Sequence, residues 1–204
     1  LLISNNKFNN EWFESFVEDI IFLRKKKIEL IIVVSGAVSL GKNYLKIHNK
    51  KLRIFEKQAC AACGQVILMN NFKKLFEKKK LKVAQILLTY SDTENRRNSL
   101  NSRETITELL KYGIIPVINE NDSVSTDELK FGDNDRLAAR VSQIIGADTL
   151  IIFSDVDGLY NKSKQIVETV NKLDEKVYSL VQKEKNSYGS GGISTKLDAA
   201  KICM

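Results

Sequence analysis

Short apolar, β-branched runs alternate with helix-period stretches along this chain, and that alternation limits the folds open to it. Residues 29–34, 83–88, 114–118 and 149–153 read as strands, and Leu30-Ile31-Ile32-Val33-Val34 is apolar throughout. A run of that kind fits a strand buried on both faces, as in a parallel sheet. Helical spacing predicts helices over 10–27, 57–77, 99–112 and 133–145, and another beginning near Ser194. Gly113 and Gly146 stand where a helix-ending glycine belongs. Parallel neighbours need a crossover between them, so the expected fold is α/β, a three-layer αβα sandwich with a mostly parallel central sheet. With one proline, no internal repeat and no low-complexity linker, residues 1–204 read as a single domain.

Composition excludes several classes. The chain is 43% hydrophobic and 28% charged, which argues against wholesale disorder. Its longest apolar run, 30–34, is far short of the roughly 20 residues of a membrane helix. Three cysteines make no disulfide framework, and a reducing cytoplasm is the expected compartment. The net charge of +7 invites a nucleic-acid reading. The basic clusters Arg24-Lys25-Lys26-Lys27 and Lys78-Lys79-Lys80, however, each end a helical pattern, where cations suit the helix dipole and stay solvated. No aromatic residues interleave them for base stacking, so no nucleic-acid partner is expected.

In parallel α/β sheets ligands gather at the carboxyl ends of the strands. The residues following the four runs are Ser35-Gly36-Ala37, Thr89-Tyr90-Ser91-Asp92, Asn119-Glu120-Asn121-Asp122 and Ser154-Asp155-Val156-Asp157-Gly158. All are polar or carry glycine, which favours a polar site along one sheet edge. Gly189-Ser190-Gly191-Gly192 leads into Ser194-Thr195-Lys196 and a helix, an arrangement that suits a phosphate. Lys196 opposes the dipole of that helix start, and a bound polyphosphate would resolve the conflict. A rival lies at Gly36–Lys42, which fits the first seven positions of the P-loop pattern but continues with Asn43 in place of the Mg²⁺-binding hydroxyl. Nine acidic or amide residues fall within the 17 positions from Asn119 to Asp135. Such a cluster binds a metal, binds an ammonium group or sets the geometry of lysines. Cys60-Ala61-Ala62-Cys63 lies inside a helical pattern and reads as small buried residues. His48 is the only histidine, which argues against histidine-based hydrolysis.

The string Ile118-Asn119-Glu120-Asn121-Asp122, followed by Phe131-Gly132-Asp133-Asn134-Asp135, resembles the amino acid kinase family, and within it the branch that phosphorylates glutamate. Ser35-Gly36-Ala37, Lys57-Gln58-Ala59, Gly64-Gln65, the segment from Gln85 to Thr89, the segment from Ser154 to Tyr160 and the segment from Gly191 to Lys196 are in keeping, and in the right order. The resemblance implies transfer of a phosphoryl group from ATP, with Mg²⁺, to the side-chain carboxylate of glutamate, the first step toward proline. It implies that Ser35, Asp122 and Asn134 bind glutamate, and that Ser154, Asp155, Ser190, Gly191, Gly192, Ile193, Ser194, Thr195 and Lys196 bind ATP. Lys196 and Asp135 are the implied catalytic pair, the lysine neutralising charge and the carboxylate organising lysine ammonium groups. No metal ligand set in the protein is implied. A homo-oligomer, proline as a feedback inhibitor and no membrane partner complete the expectation; another family member or a P-loop NTPase using Gly36–Lys42 is the alternative. The family's first-strand lysine, the strands after the last helix and a C-terminal RNA-binding-type domain are missing from the sequence. The chain is therefore expected to be a piece cut at both ends, with little or no activity of its own.

Overall fold

The computed structural model describes residues 2–4, 6–48, 51–124, 134–181 and 192–204. The chain forms two compact units, Leu1–Phe131 and Gly132–Met204.

In the first unit a small antiparallel pair, β1 (Ile3–Ser4) and β2 (Lys7–Phe8), precedes helix α1 (Asn10–Lys25). Asn9 caps α1 by accepting a hydrogen bond from the Trp12 amide at 3.2 Å. Next come β3 (Ile32–Val33), α2 (Ala37–Tyr44), α3 (Ile54–Lys78), β4 (Val83–Leu88), α4 (Tyr90–Glu94), α5 (Arg96–Lys111) and β5 (Ile115–Glu120). The three longer-range strands pair in parallel in the order β3-β5-β4, with Val33 opposite Ile118 and Leu88 opposite Glu120. Central β5 is buried along its first five residues, which is why its sequence reads apolar rather than alternating. The parallel sheet flanked by helices is the α/β architecture expected from the sequence.

The core joins the sheet to α1 and α3. Phe13, Val17 and Ile20 of α1 meet Leu68, Phe72 and Phe76 of α3 and Ile32, Ile115 and Val117 of the sheet. The rings of Phe13 and Phe72 lie 4.5 Å apart between centroids, and Phe8 meets Phe13 edge-on at 4.9 Å. Such pairs add directional attraction to the area they bury.

Helix α2 corrects the rival P-loop reading. A phosphate loop needs the residues between its two glycines to wrap the anion as a loop, but here they are already helical from Ala37, and the Leu40 amide makes the first helical bond, to the Gly36 carbonyl at 3.0 Å. Gly36 itself, at φ 104°, is the left-handed N-cap. Gly41 lies inside the helix and serves packing. A Cβ there would stand 1.7 Å from the carbonyl oxygen of Cys60, and one on Gly64 would stand 1.7 Å from the carbonyl oxygen of Ala37. Helices α2 and α3 therefore cross in backbone contact.

The second unit contains α6 (Asn134–Ile145), α7 (Glu175–Leu180) and α8 (Ile193–Cys203). Leu137, Ala138, Ala139 and Val141 of α6 and Leu197 and Ala199 of α8 are buried. Residues 149–153, expected as a strand, join no ladder among the described residues, and Ile151 and Phe153 are 69% and 57% exposed. β-Propensity reflects packing on a pleated surface, and without a paired neighbour the apolar run has no surface to fit. The lone bridge in this stretch joins Tyr160 to Ile166.

Replacing Gly41 by alanine forces the backbones of α2 and α3 apart, at a cost of about 3 kcal/mol. Calorimetry should show the melting temperature falling by about 6–12 °C. Ala62→Ser, at an exposed position of α3, should stay within about 0.5 kcal/mol of the parent.

Candidate active site

Parallel pairing brings the carboxyl ends of β3, β4 and β5 to one edge of the sheet. There β3 runs into Ser35 and Gly36, β4 into Thr89, and β5 into Asn121 and Asp122. The Asn121 amide donates to the Leu88 carbonyl at 2.9 Å, which ties the turn after β5 to the end of β4. Ser35 is exposed at the start of α2, where unpaired helix N–H groups favour an anionic group. Asp122, by contrast, is only 9% exposed. Burial, and after it the Glu120 charge, push its carboxyl up to about 7, with Lys57 near the start of α3 opposing both. A carboxyl poised near neutrality at a strand end is suited to an incoming ammonium group.

Asn119, on β5, is 1% exposed and donates through Nδ2 to Oε1 of Gln65 on α3 at 2.7 Å. Nothing in the sequence alone joins these two residues. The available signal was an amide inside each of two apolar segments, Gly64-Gln65-Val66-Ile67-Leu68 and Val117-Ile118-Asn119.

In the second unit the structure brings together Asp135, Thr195 and Lys196. Lys196 Nζ lies 3.0 Å from Asp135 Oδ2, and both side chains are 19% exposed. The Thr195 hydroxyl lies 2.9 Å from the same carboxylate oxygen and 2.8 Å from the Gly192 carbonyl. Arg136 adds a second ion pair between α6 and α8, to Asp198 at 2.6 Å. Asp135 lies in the first turn of α6, where the dipole favours a carboxylate; Lys196 lies near the start of α8, where the dipole disfavours a cation. The close carboxylate offsets that penalty and holds the ammonium group in one place.

Asn134 opens α6, and its Oδ1 is buried with no hydrogen-bond partner among the described residues. Ser154 accepts from the Val156 amide at 3.4 Å, and Asp155 is exposed. No hydrogen bond or ion pair joins these two to the Asp135–Lys196 pair among the described residues. Gly192, Ile193 and Ser194 form the cap and first turn of α8. Ser190 and Gly191 lie outside the described residues, as do 125–133. No group of three or more metal-ligating His, Cys, Asp or Glu side chains occurs among the described residues. No described helix is long and apolar enough to cross a membrane.

The sequence profile of the Amino acid kinase family matches residues 2–204. Among curated proteins, the chain is 44% identical to a glutamate 5-kinase of Pelagibacter ubique (strain HTCC1062), with the whole chain matched to 57% of that protein. It is 43% identical to a glutamate 5-kinase of Bartonella henselae, over 94% of the chain and 52% of the relative. With a glutamate 5-kinase of Rhodospirillum rubrum the identity is 44%, over 95% of the chain and 53% of the relative. The chain thus spans about half the length of the curated relatives it matches. A profile that runs nearly from end to end, on an α/β unit with a polar strand edge, leaves one conclusion: the chain belongs to the amino acid kinase family.

Proposed function

We propose that this chain carries the kinase domain of an enzyme that transfers the γ-phosphoryl group of ATP to the side-chain carboxylate of glutamate, releasing ADP and glutamyl 5-phosphate. The observation that carries the reading is the Lys196–Asp135 pair, a cation fixed at a glycine-led helix start. The 42–44% identity to glutamate 5-kinases supports the choice of acceptor.

The chemistry asks little of the protein beyond placement and charge. A carboxylate acceptor is already ionised at neutral pH, so no general base is needed. The nucleophile and the polyphosphate are both anions, and their approach must be screened and aligned. In our reading Asp122 takes the α-ammonium of glutamate, Ser35 and Asn134 bind its polar groups, and Lys196 stabilises the charge on the transferred phosphoryl group. Asp135 positions Lys196. The segment from Ser190 to Thr195, with Ser154 and Asp155, holds the nucleotide. Mg²⁺ would come with ATP and would supply charge neutralisation on the phosphates, and we assign it no ligands from the protein. Treating 1–204 as one domain, a cytoplasmic setting, homo-oligomeric assembly and inhibition by proline belong to the same reading.

In a chain extended to the length of the curated relatives, Lys196→Ala should lower glutamate-dependent ADP formation by about 100- to 1,000-fold, the scale for losing one preorganised charge contact. Lys42→Ala, in the last turn of α2, should leave most of it. The opposite pattern would overturn the assignment of the nucleotide site.

Glutamate binding should depend on pH through Asp122. The ionised form receives the ammonium group, and with a pKa of about 7 that form prevails at pH 8 and is scarce at pH 6. The dissociation constant for glutamate should therefore rise about tenfold between pH 8 and pH 6. Titration calorimetry checks this, and Asp122→Asn should bind weakly with a flat profile.

A further inference from the structure

The Gln65–Asn119 pair has no task in the mechanism above, yet it is the most deeply buried polar contact near the sheet edge. Asn119 Nδ2 donates to Gln65 Oε1 at 2.7 Å, and the two residues are 1% and 9% exposed. The other half of each amide, Asn119 Oδ1 and Gln65 Nε2, is buried with no hydrogen-bond partner among the described residues. Turning both amides over exchanges donor and acceptor but still leaves one carbonyl oxygen and one NH₂ group unsatisfied. Buried polar atoms are almost always paired, with protein, ordered water or ligand, and one of each sign side by side suits a group that carries both a donor and an acceptor.

The location is specific. Asn119 stands three residues before Asp122 on the strand that delivers it. Gln65 follows Gly64, against which the Ala37 carbonyl in the first turn of α2 is packed, just past Ser35. Lys57, the cation acting on Asp122, is on the same helix as Gln65. The amide pair therefore lies on the α3 side of the edge from which Ser35 and Asp122 emerge.

We infer that Gln65 is a positioning residue of the amino-acid site, fixing the Asn119 amide so that the pair presents one acceptor and one donor to the α-ammonium and α-carboxylate of the substrate. This rests on the proposed glutamate reading and adds to it the element that recognises an α-amino acid rather than a simple dicarboxylate. An ammonium group has three N–H bonds, so pairing with Asp122 leaves others for an amide oxygen. Both orphan amide atoms are covered in this structure, and the ligand pairs with them by displacing part of their cover.

The test is calorimetric titration of glutamate and of ATP, with thermal unfolding, on the parent, Gln65→Met and the double variant Gln65→Met/Asn119→Leu. Gln65→Met should raise the dissociation constant for glutamate at least tenfold and leave that for ATP within twofold. In the double variant both amides become apolar, so the melting temperature should recover relative to Gln65→Met while glutamate affinity should not. A Gln65→Met protein that melts lower but binds glutamate like the parent overturns the inference and leaves the glutamate reading standing. Recovery of both stability and affinity in the double variant also overturns it, and that variant carries the test if Gln65→Met does not fold. A parent protein that binds no glutamate overturns the glutamate reading, and the inference with it.

Discussion

Parallel pairing of β3, β5 and β4 is the constraint from which the first unit follows. Strands that run the same way must send the chain back across the sheet between them, so helices cover it and every carboxyl end emerges on one edge. Ser35, Thr89 and Asp122 are neighbours for that reason, although more than thirty residues separate each from the next in sequence. The start of α2 stands at the same edge because it follows β3 after three residues, and α2 then rests backbone to backbone on α3. Gly41 and Gly64 are both needed there, since a Cβ on either would sit inside a carbonyl group of the other helix.

The second unit meets a different requirement. A cation near the start of a helix works against the dipole, and α8 tolerates Lys196 because Asp135 of α6 stands beside it. Arg136 and Asp198 repeat the link between the same two helices with the charges exchanged. Ion pairs at this exposure contribute little to stability. What they supply is position, since a lysine side chain otherwise samples many rotamers. Thr195 strengthens that effect by placing its hydroxyl on the carboxylate oxygen that Lys196 uses.

Much of the fold was legible because the period of the apolar residues changes from helix to strand. Strand 83–88 matches β4, and residues 10–27 contain α1. The buried strand 114–118 contains the core of β5. Elements that depend on a neighbour rather than on their own pattern were not legible. The glycine spacing of α2 offers a rival phosphate loop, whereas Gly41 is there for close packing, a fact held in the residues of α3. Propensity alone makes residues 149–153 a strand, but a strand exists through its ladder, and these join none among the described residues. In the candidate site, acidic and glycine-bearing segments could be found by type and order. That Asp122 is buried and Gln65 meets Asn119 could not, because both facts arise when α3 packs on the sheet.

The buried carboxyl of Asp122 also governs how binding exchanges protons with the buffer. A group with a pKa of about 7 carries a proton in roughly half of the molecules at neutral pH. On the proposed reading, an ammonium group docks only against the bare carboxylate, so each association event expels on average about half a hydrogen ion. The heat measured on mixing then includes the ionisation enthalpy of whatever buffer takes up that ion, and two buffers at one pH give two different apparent enthalpies for the same contact.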